Sequence, residues 1–204
     1  MIIALVHGIS HSRPRDWWCE WMPHVQRLIG ARAFQIQPIN WEFLEERQPA
    51  HQLNWCTNLF GDLSAVRDPL INGFIRQELD RASWMSNGLI VISHSLGTVL
   101  THYALTDMEL PVRLWVTMGS PMWLRDKFPG LLPPGAKPPG VRRWVNVYSP
   151  VDWFVGRRAI SHADANYRAW CRHPASHYFS SNAVWNNLPR ELAAAYDSDE
   201  PLAA

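Results

Sequence analysis

Short apolar segments recur along the chain, separated by longer segments with helical spacing. The apolar segments are rich in Ile, Val and Leu and lack strict alternation with polar residues, which is typical of strands in a parallel sheet covered on both faces. They are Ile2–Val6, Ala33–Ile39, Leu89–Ser93, Val112–Met118 and Trp144–Tyr148. The pattern predicts a mostly parallel sheet of about five to six strands.

Between these strands, three segments are predicted to be helical: Asp16–Ile29, Pro69–Met85 and Leu96–Asp107. One apolar stripe of the first helix contains Trp17, Trp21, Val25 and Leu28. In the second, a stripe of Leu70, Phe74, Gln77 and Arg81 is flanked by Ile71, Ile75 and Leu79. Strands that alternate with helices form right-handed crossovers, so we expect a three-layer α/β/α sandwich.

The chain has 204 residues, a length that favours one domain. We expect this domain to span residues 1–196 and the tail 197–204 to fray. Two segments do not fit the alternation. Residues 40–64 carry mixed signals and are interpreted as a cap or a long loop, and residues 128–140 contain five prolines, which predicts a loop.

Composition narrows the class of protein. Hydrophobic residues make up 47% and charged residues 18%, with a formal net charge of +1. The sequence contains no basic run interleaved with aromatic residues, so it does not indicate a nucleic-acid partner. The first six residues lack the basic start of a signal peptide, and no apolar run is long enough for a transmembrane span. The unpaired spacing of Cys19, Cys56 and Cys171 favours free thiols in a reducing cytoplasm; a trimmed leader or another export route stays open.

The segment around Ser95 carries the most specific chemical signal. An apolar strand runs into Ser93-His94-Ser95-Leu96-Gly97 and then directly into a helix. In a nucleophile elbow the serine sits on a sharp strand-to-helix turn, so the residues two positions before and after it must be small. Gly97 meets this requirement, and Ser93 stands where glycine is usual. The pattern predicts that Ser95 is an exposed nucleophile at a helix N-terminus.

With this elbow, the chain resembles the α/β-hydrolase superfamily of serine esterases and lipases. Its first strand leads into His7-Gly8-Ile9-Ser10, similar to the His-Gly that opens the oxyanion loop in that family. The resemblance implies that the backbone N–H groups of Ile9 and Leu96 form the oxyanion hole. It also implies a trimmed version of the fold, because the family's strands before His-Gly are missing.

A catalytic serine needs a histidine base and an acid that orients it, in the family's chain order Ser, Asp or Glu, His. Asp152 is the preferred acid because it follows a predicted strand through a turn, and active sites of open α/β sheets lie at the carboxyl ends of strands. Asp126, near a helical stretch, and Asp164, in a polar loop, are the alternatives. For the base we predict His177, which opens a loop before the last helix and matches similar turns in lipase-like hydrolases.

The remaining histidines are given other interpretations. His162 is the reserve for the base, and His173 is interpreted as a loop residue. His94 and His102 flank the serine and are expected to pack or cap locally. A turn at Gly119-Ser120-Pro121 resembles one in lipase-like relatives, where Ser120 would shape the pocket floor; a purely structural role is the alternative.

The sequence also bears on two other kinds of site, a metal site and a nucleotide-binding site. His7, His11 and Asp16 could be offered as metal ligands, but no HExxH motif or carboxylate cluster is present, and no Gly-rich loop indicates a nucleotide. The twelve tryptophans fit core packing or an apolar acyl-binding surface. We expect a serine hydrolase that cleaves small-molecule or lipid-like esters and needs no cofactor. The alternative is a non-catalytic binding protein that keeps this fold. The oligomeric state is left open.

Overall fold

The structure is a computed structural model that describes residues 1–8, 16–41, 68–86, 88–126, 136–152 and 157–198. Its strands are β1 (Ile2–Val6), β2 (Gln35–Ile39), β3 (Leu89–His94), β4 (Val112–Met118), β5 (Val141–Tyr148) and β6 (Ala165–Arg168). Its helices are α1 (Trp18–Ile29), α2 (Pro69–Trp84), α3 (Leu96–Met108), α4 (Ala175–Phe179) and α5 (Asn182–Asp197), and a 3₁₀ helix spans Pro121–Asp126.

The six strands form one parallel sheet in the order β2-β1-β3-β4-β5-β6. Strands β1, β3 and β4 are buried along their whole length, as expected for strands with helices on both faces. The predicted parallel sheet of five to six strands is therefore confirmed. The sixth strand, β6, is a short edge strand that alternates partly buried and exposed residues.

Two apolar clusters lie on opposite faces of the sheet and complete the three predicted layers. Helices α2 and α3 cover one face, where Ile75, Leu79 and Val99 are fully buried. Helices α1, α4 and α5 cover the other face, where Trp21 and Leu188 are fully buried. The three-layer α/β/α sandwich is confirmed.

The strand order reverses direction next to β1. From β1 the chain crosses to β2 on one side and then returns to place β3 on the other side. In open α/β sheets the crevice at such a switch point, beyond the carboxyl ends of the strands, is where ligands bind. Gly8 follows β1 and Ser95 follows β3, so both lie at this position.

Some predictions fall on parts of the chain that are not described. Most of the expected cap at 40–64, most of the proline-rich loop at 128–140 and the end of the tail lie outside the described residues. Helix α5 continues to Asp197, whose carboxylate pairs with Arg32. Among the helices that the structure describes, none is both long and apolar enough to cross a membrane.

Candidate active site

Ser95 occupies a sharp turn between β3 and α3. Its backbone has φ 54° and ψ −132°, a conformation that costs a non-glycine residue free energy and is maintained only by its surroundings. The Ser95 N–H donates to the carbonyl of Met118 at the end of the neighbouring strand, over 3.0 Å. Helix α3 begins at the next residue. This is the backbone geometry of a nucleophile elbow.

Two glycines allow the elbow to approach β1. A Cβ on Gly97 would lie 2.6 Å from the carbonyl oxygen of His7, a backbone atom that cannot move away cheaply. A Cβ on Gly8 would lie 2.6 Å from Ser95 Cβ and 2.9 Å from the Leu96 nitrogen. The two small positions in the sequence therefore serve one close contact between the His7-Gly8 loop and the elbow.

Ser93, which stands where an elbow usually has glycine, is held by a tryptophan. Its hydroxyl oxygen accepts a 2.8 Å hydrogen bond from Trp115 Nε1, and both side chains are fully buried. The hydroxyl can in turn donate to the Val116 carbonyl at 3.4 Å. A buried indole N–H needs an acceptor, and a glycine at position 93 would not provide one.

Ser120, which follows β4, supports the elbow through Thr98 of α3. Thr98 Oγ1 donates to the carbonyl of Ser95 over 2.6 Å, and the Ser120 hydroxyl lies 2.8 Å from Thr98 Oγ1. Since the Thr98 proton is used on Ser95, Ser120 donates to Thr98. Ser120 also accepts from the Met122 N–H at 3.3 Å and is only 2% exposed. These contacts place Ser120 beneath the turn, where it braces the backbone of the serine.

Three polar side chains from separate segments meet beside this turn. Ser95 Oγ lies 2.9 Å from His173 Nε2, and His173 Nδ1 lies 2.9 Å from Asp152 Oδ2. The Asp152 side chain is fully buried, whereas that of His173 is 24% exposed. An ionised carboxylate only accepts hydrogen bonds, so Nδ1 carries the proton and Nε2 accepts from the serine hydroxyl. In this tautomer the imidazole can take a proton from Ser95.

The structure does not bring the predicted base, His177, to Ser95. Helix α4 buries Ala175, Tyr178 and Phe179, which share one face of the helix. Residue 177 points the other way and is exposed. The sequence-based choice of His177 over His173 is therefore corrected.

The other candidates for the acid and the base lie in different surroundings. His162 is an exposed residue in the turn that precedes β6. Asp164 accepts hydrogen bonds from Lys137 Nζ and from the backbone N–H of Trp144. Asp126 ends the 3₁₀ helix, and its side chain is outside the described part of the structure.

The backbone around His173 is fixed at two points. Ser149 Oγ donates to the Cys171 carbonyl over 2.7 Å and accepts from the Cys171 N–H at 3.0 Å. His94, one residue before Ser95, donates from Nε2 to the His173 carbonyl over 2.8 Å. The buried His94 side chain therefore does not pack only locally, as predicted, but ties the Ser95 segment to the distant segment that carries His173.

The predicted oxyanion hole is described only in part. Leu96 is the first residue of α3, so its N–H has no acceptor within the helix and lies beside the serine. Ile9, the second predicted donor, lies outside the described residues. His7 is buried with its ring against Trp17 and Trp21, and its carbonyl accepts a 2.9 Å hydrogen bond from Trp41 Nε1. The Trp41 contact holds the start of the predicted oxyanion loop in place.

Other reactive groups near the site are accounted for by packing. Burial raises the pKa of the Cys171 thiol to about 11, so this thiol is protonated and a weak nucleophile at neutral pH. Cys19 and Cys171 are free, and Cys56 lies outside the described residues. In the part of the chain that the structure describes, no group of three or more His, Cys, Asp or Glu could hold a metal ion. The fully buried tryptophans 17, 21, 41, 115 and 144 belong to the core.

Comparisons by sequence return nothing: no protein-family model matches the chain, and no curated protein matches it. Solved structures do match. A candidate hydrolase of the alpha/beta superfamily from Xanthomonas campestris pv. campestris is 14% identical with a TM-score of 0.57, and the match covers 96% of this chain and 97% of that one. A candidate YdeN-like hydrolase from Pectobacterium atrosepticum is 15% identical with a TM-score of 0.57, and the match covers 96% of this chain and 91% of that one. Esterase PE8 is 10% identical with a TM-score of 0.53, and the match covers 96% of this chain and 91% of that one.

At these identities the likeness concerns the path of the backbone. It extends over nearly the whole of this chain and of each matched chain. It agrees with the parallel sheet, the helices on both faces and the strand-to-helix turn at Ser95. The chain has the α/β-hydrolase fold.

Proposed function

We propose that this protein is a serine hydrolase that cleaves carboxylic esters through an acyl-enzyme. Ser95 is the nucleophile, His173 the general base and Asp152 the acid that orients it. The observation that carries the proposal is the continuous chain of contacts from Ser95 Oγ through the His173 ring to Asp152 Oδ2, with 2.9 Å at each step. Such an arrangement makes a weak hydroxyl nucleophilic.

The reaction follows from this geometry. Ser95 Oγ bonds to the ester carbonyl carbon while its proton moves to His173 Nε2, and Asp152 stabilises the imidazolium. The carbonyl oxygen becomes an anion that accepts from the Leu96 N–H, with Ile9 as the expected second donor. Losing one such donor typically lowers the rate by about 10²–10³. The ester C–O bond then breaks, the alcohol leaves with the proton from His173, and water activated by His173 releases the acid.

Two further points support a hydrolase. The matched structures include one named an esterase and two named as candidate hydrolases, and all three share the fold that presents Ser95. The strained backbone at Ser95 is a second point, because strain of this kind persists where the surroundings impose it and clusters at active sites. An apolar acyl group is the substrate class we favour, in view of Trp55 and Phe60 in the sequence of the predicted cap.

The test is hydrolysis of a series of p-nitrophenyl esters with increasing acyl length. We expect Ser95→Ala to lose at least about 10⁴-fold in kcat/KM while its circular dichroism stays that of the wild type. The matched control is Ser180→Ala, which removes an exposed hydroxyl bonded only to the Ser176 carbonyl within the described residues; its activity should not change. Unchanged hydrolysis by Ser95→Ala would overturn the proposal. A folded wild-type protein that neither hydrolyses esters nor reacts with a fluorophosphonate would instead be a binding protein.

A further inference from the structure

A second side chain, besides His173, contacts the carboxylate of the proposed triad. Tyr178 Oη donates to Asp152 Oδ2 over 2.7 Å. This is the same oxygen that accepts from His173 Nδ1 at 2.9 Å. Tyr178 and Asp152 are both fully buried, so water does not compete for this oxygen. The phenol and the imidazole therefore share one carboxylate oxygen.

The neighbouring backbone is shaped to permit this contact. Gly119, at the end of β4, has φ +57°, a conformation that favours glycine. A Cβ at this position would lie 3.1 Å from Tyr178 Cε2 and 3.4 Å from Asp152 Oδ2. The glycine thus leaves room for the tyrosine ring to reach the carboxylate between β4, the turn after β5 and helix α4.

The electrostatics keep this phenol a donor. Burial raises the pKa of the Tyr178 hydroxyl far above its usual range, and the charge of Asp152 and the hydrogen bond to it raise it further. The proton therefore stays on Tyr178 at every pH at which an esterase would be assayed. A permanent donor to Oδ2 draws negative charge away from the atom that faces the imidazole.

We propose that Tyr178 is a positioning residue that sets, through Asp152, how readily His173 is protonated. The inference rests on the proposed function, because it concerns the base of that reaction. A carboxylate that shares its charge with a phenol stabilises an imidazolium less than an unshared carboxylate does. Tyr178 thus limits how strongly Asp152 favours the charged over the neutral imidazole, and the neutral form is the one that can accept the Ser95 proton.

Other titratable groups also face this pair, and they are the same in every variant compared below. They are His94, whose ring lies 4.9 Å from that of His173, Cys171, whose thiol senses the charge of Asp152, and His7, whose ring lies 5.4 Å from that of His94. Their contributions therefore cancel when two proteins that differ only at position 178 are compared.

The experiment measures kcat/KM against pH for a p-nitrophenyl ester in wild type and in Tyr178→Phe. The acidic limb of this profile reports the base of the free enzyme. We expect the limb to move to higher pH by about half a unit and kcat to fall about tenfold, with KM little changed. Fluorophosphonate titration counts the active sites, so misfolded protein does not enter the rates.

The matched control is Tyr167→Phe. Tyr167 also donates its phenol to a carboxylate oxygen, that of the partly buried Glu191, over 2.5 Å, but on the edge strand β6 and helix α5. This control should keep the wild-type pH profile. If Tyr178→Phe does not fold, 3-fluorotyrosine at position 178 keeps the shape of the ring and strengthens the donor, and the limb should then move to lower pH.

The outcomes separate the two claims. If the wild type reacts with fluorophosphonate at Ser95 but the acidic limb stays in place in both position-178 variants, the role of Tyr178 is overturned and the proposed function stands. A kcat loss without a shift of the limb has the same meaning, since a merely structural tyrosine would produce it. If the wild type does not react at Ser95, both claims fail.

Discussion

Replacing Ser93 by alanine should destabilise the protein, even though this position is expected to tolerate any small residue. The substitution keeps a small side chain at the elbow but removes the acceptor of the Trp115 indole N–H, which is bonded over 2.8 Å and fully buried. A buried donor without its partner costs about 1–3 kcal/mol. The long contact from Ser93 to the Val116 carbonyl, at 3.4 Å, adds little.

The assay is urea denaturation followed by circular dichroism, together with thermal melting. A loss of about 2 kcal/mol should lower Tm by roughly 4–8 °C in a protein of this size. Ser93→Gly introduces the residue that is usual in such elbows. Its free energy of unfolding should be lower than that of Ser93→Ala by about 0.5–1 kcal/mol, because glycine also weakens a strand interior. A free energy of unfolding for Ser93→Ala within about 0.5 kcal/mol of the wild type would show that the Ser93–Trp115 hydrogen bond does not stabilise the fold.

A double-mutant cycle assigns the loss to this hydrogen bond. Trp115→Phe removes the donor, so Ser93→Ala should cost about 1 kcal/mol less in the Trp115→Phe background than in the wild type. The control combines Ser93→Ala with Tyr196→Phe, which breaks a separate hydrogen bond to the Ala33 carbonyl. Those two changes should be additive, and equal coupling in both cycles would exclude a specific contact.

Two further predictions concern titratable groups outside the triad. Burial lowers the pKa of His102, and the hydrogen bond to the Ala136 carbonyl only partly opposes this. The folded state therefore binds fewer protons than the unfolded state, so the free energy of unfolding should fall as the pH drops below about 6.5. Between pH 7.5 and 5.5 the Tm of His102→Gln should fall by less than the Tm of the wild type. An equal fall in both proteins would contradict this prediction. Burial raises the pKa of Cys171 to about 11, so iodoacetamide at pH 8 should alkylate Cys171 more slowly than the exposed Cys19. Peptide mass spectrometry measures the two rates, and equal rates would show that the Cys171 thiol is not protected.

The strands were largely predictable because a parallel sheet covered on both faces needs continuous apolar runs. Val112–Met118 is predicted and observed with the same bounds, and its seven residues are all buried. The edge strand β6, Ala165–Arg168, escaped prediction because its residues alternate between partly buried and exposed. This edge strand has one neighbour and less cover, and its sequence contains no apolar run.

Helix faces were predictable to different degrees. In α1 the predicted stripe of Trp17, Trp21, Val25 and Leu28 is buried. In α2 the buried stripe contains Ile71, Ile75 and Leu79, while Leu70 is 71% exposed. Adjacent apolar residues at the start of a helix leave two possible faces, and only packing against the sheet decides which one is buried.

The site divides in the same way. Ser95 and Asp152 follow apolar strands, so their positions at the edge of the sheet could be inferred from the pattern alone. His173 lies in a loop, where no periodicity applies. A signal was nevertheless present: Pro174 precedes the buried positions 175, 178 and 179, which have helical spacing, so α4 begins after Pro174 and residue 177 faces outward. Tyr178 had no signal, because its partner comes from a distant segment.

In the proposed mechanism His173, and not His177, activates Ser95. The most direct measurement is the rate at which a fluorophosphonate forms an adduct at Ser95, located by peptide mass spectrometry, in His173→Ala and His177→Ala. We predict that His177→Ala reacts at the wild-type rate and that the rate for His173→Ala is lower by at least about 10³-fold. Loss of the reaction in His177→Ala, with normal reaction in a folded His173→Ala, would show that His177 is the base.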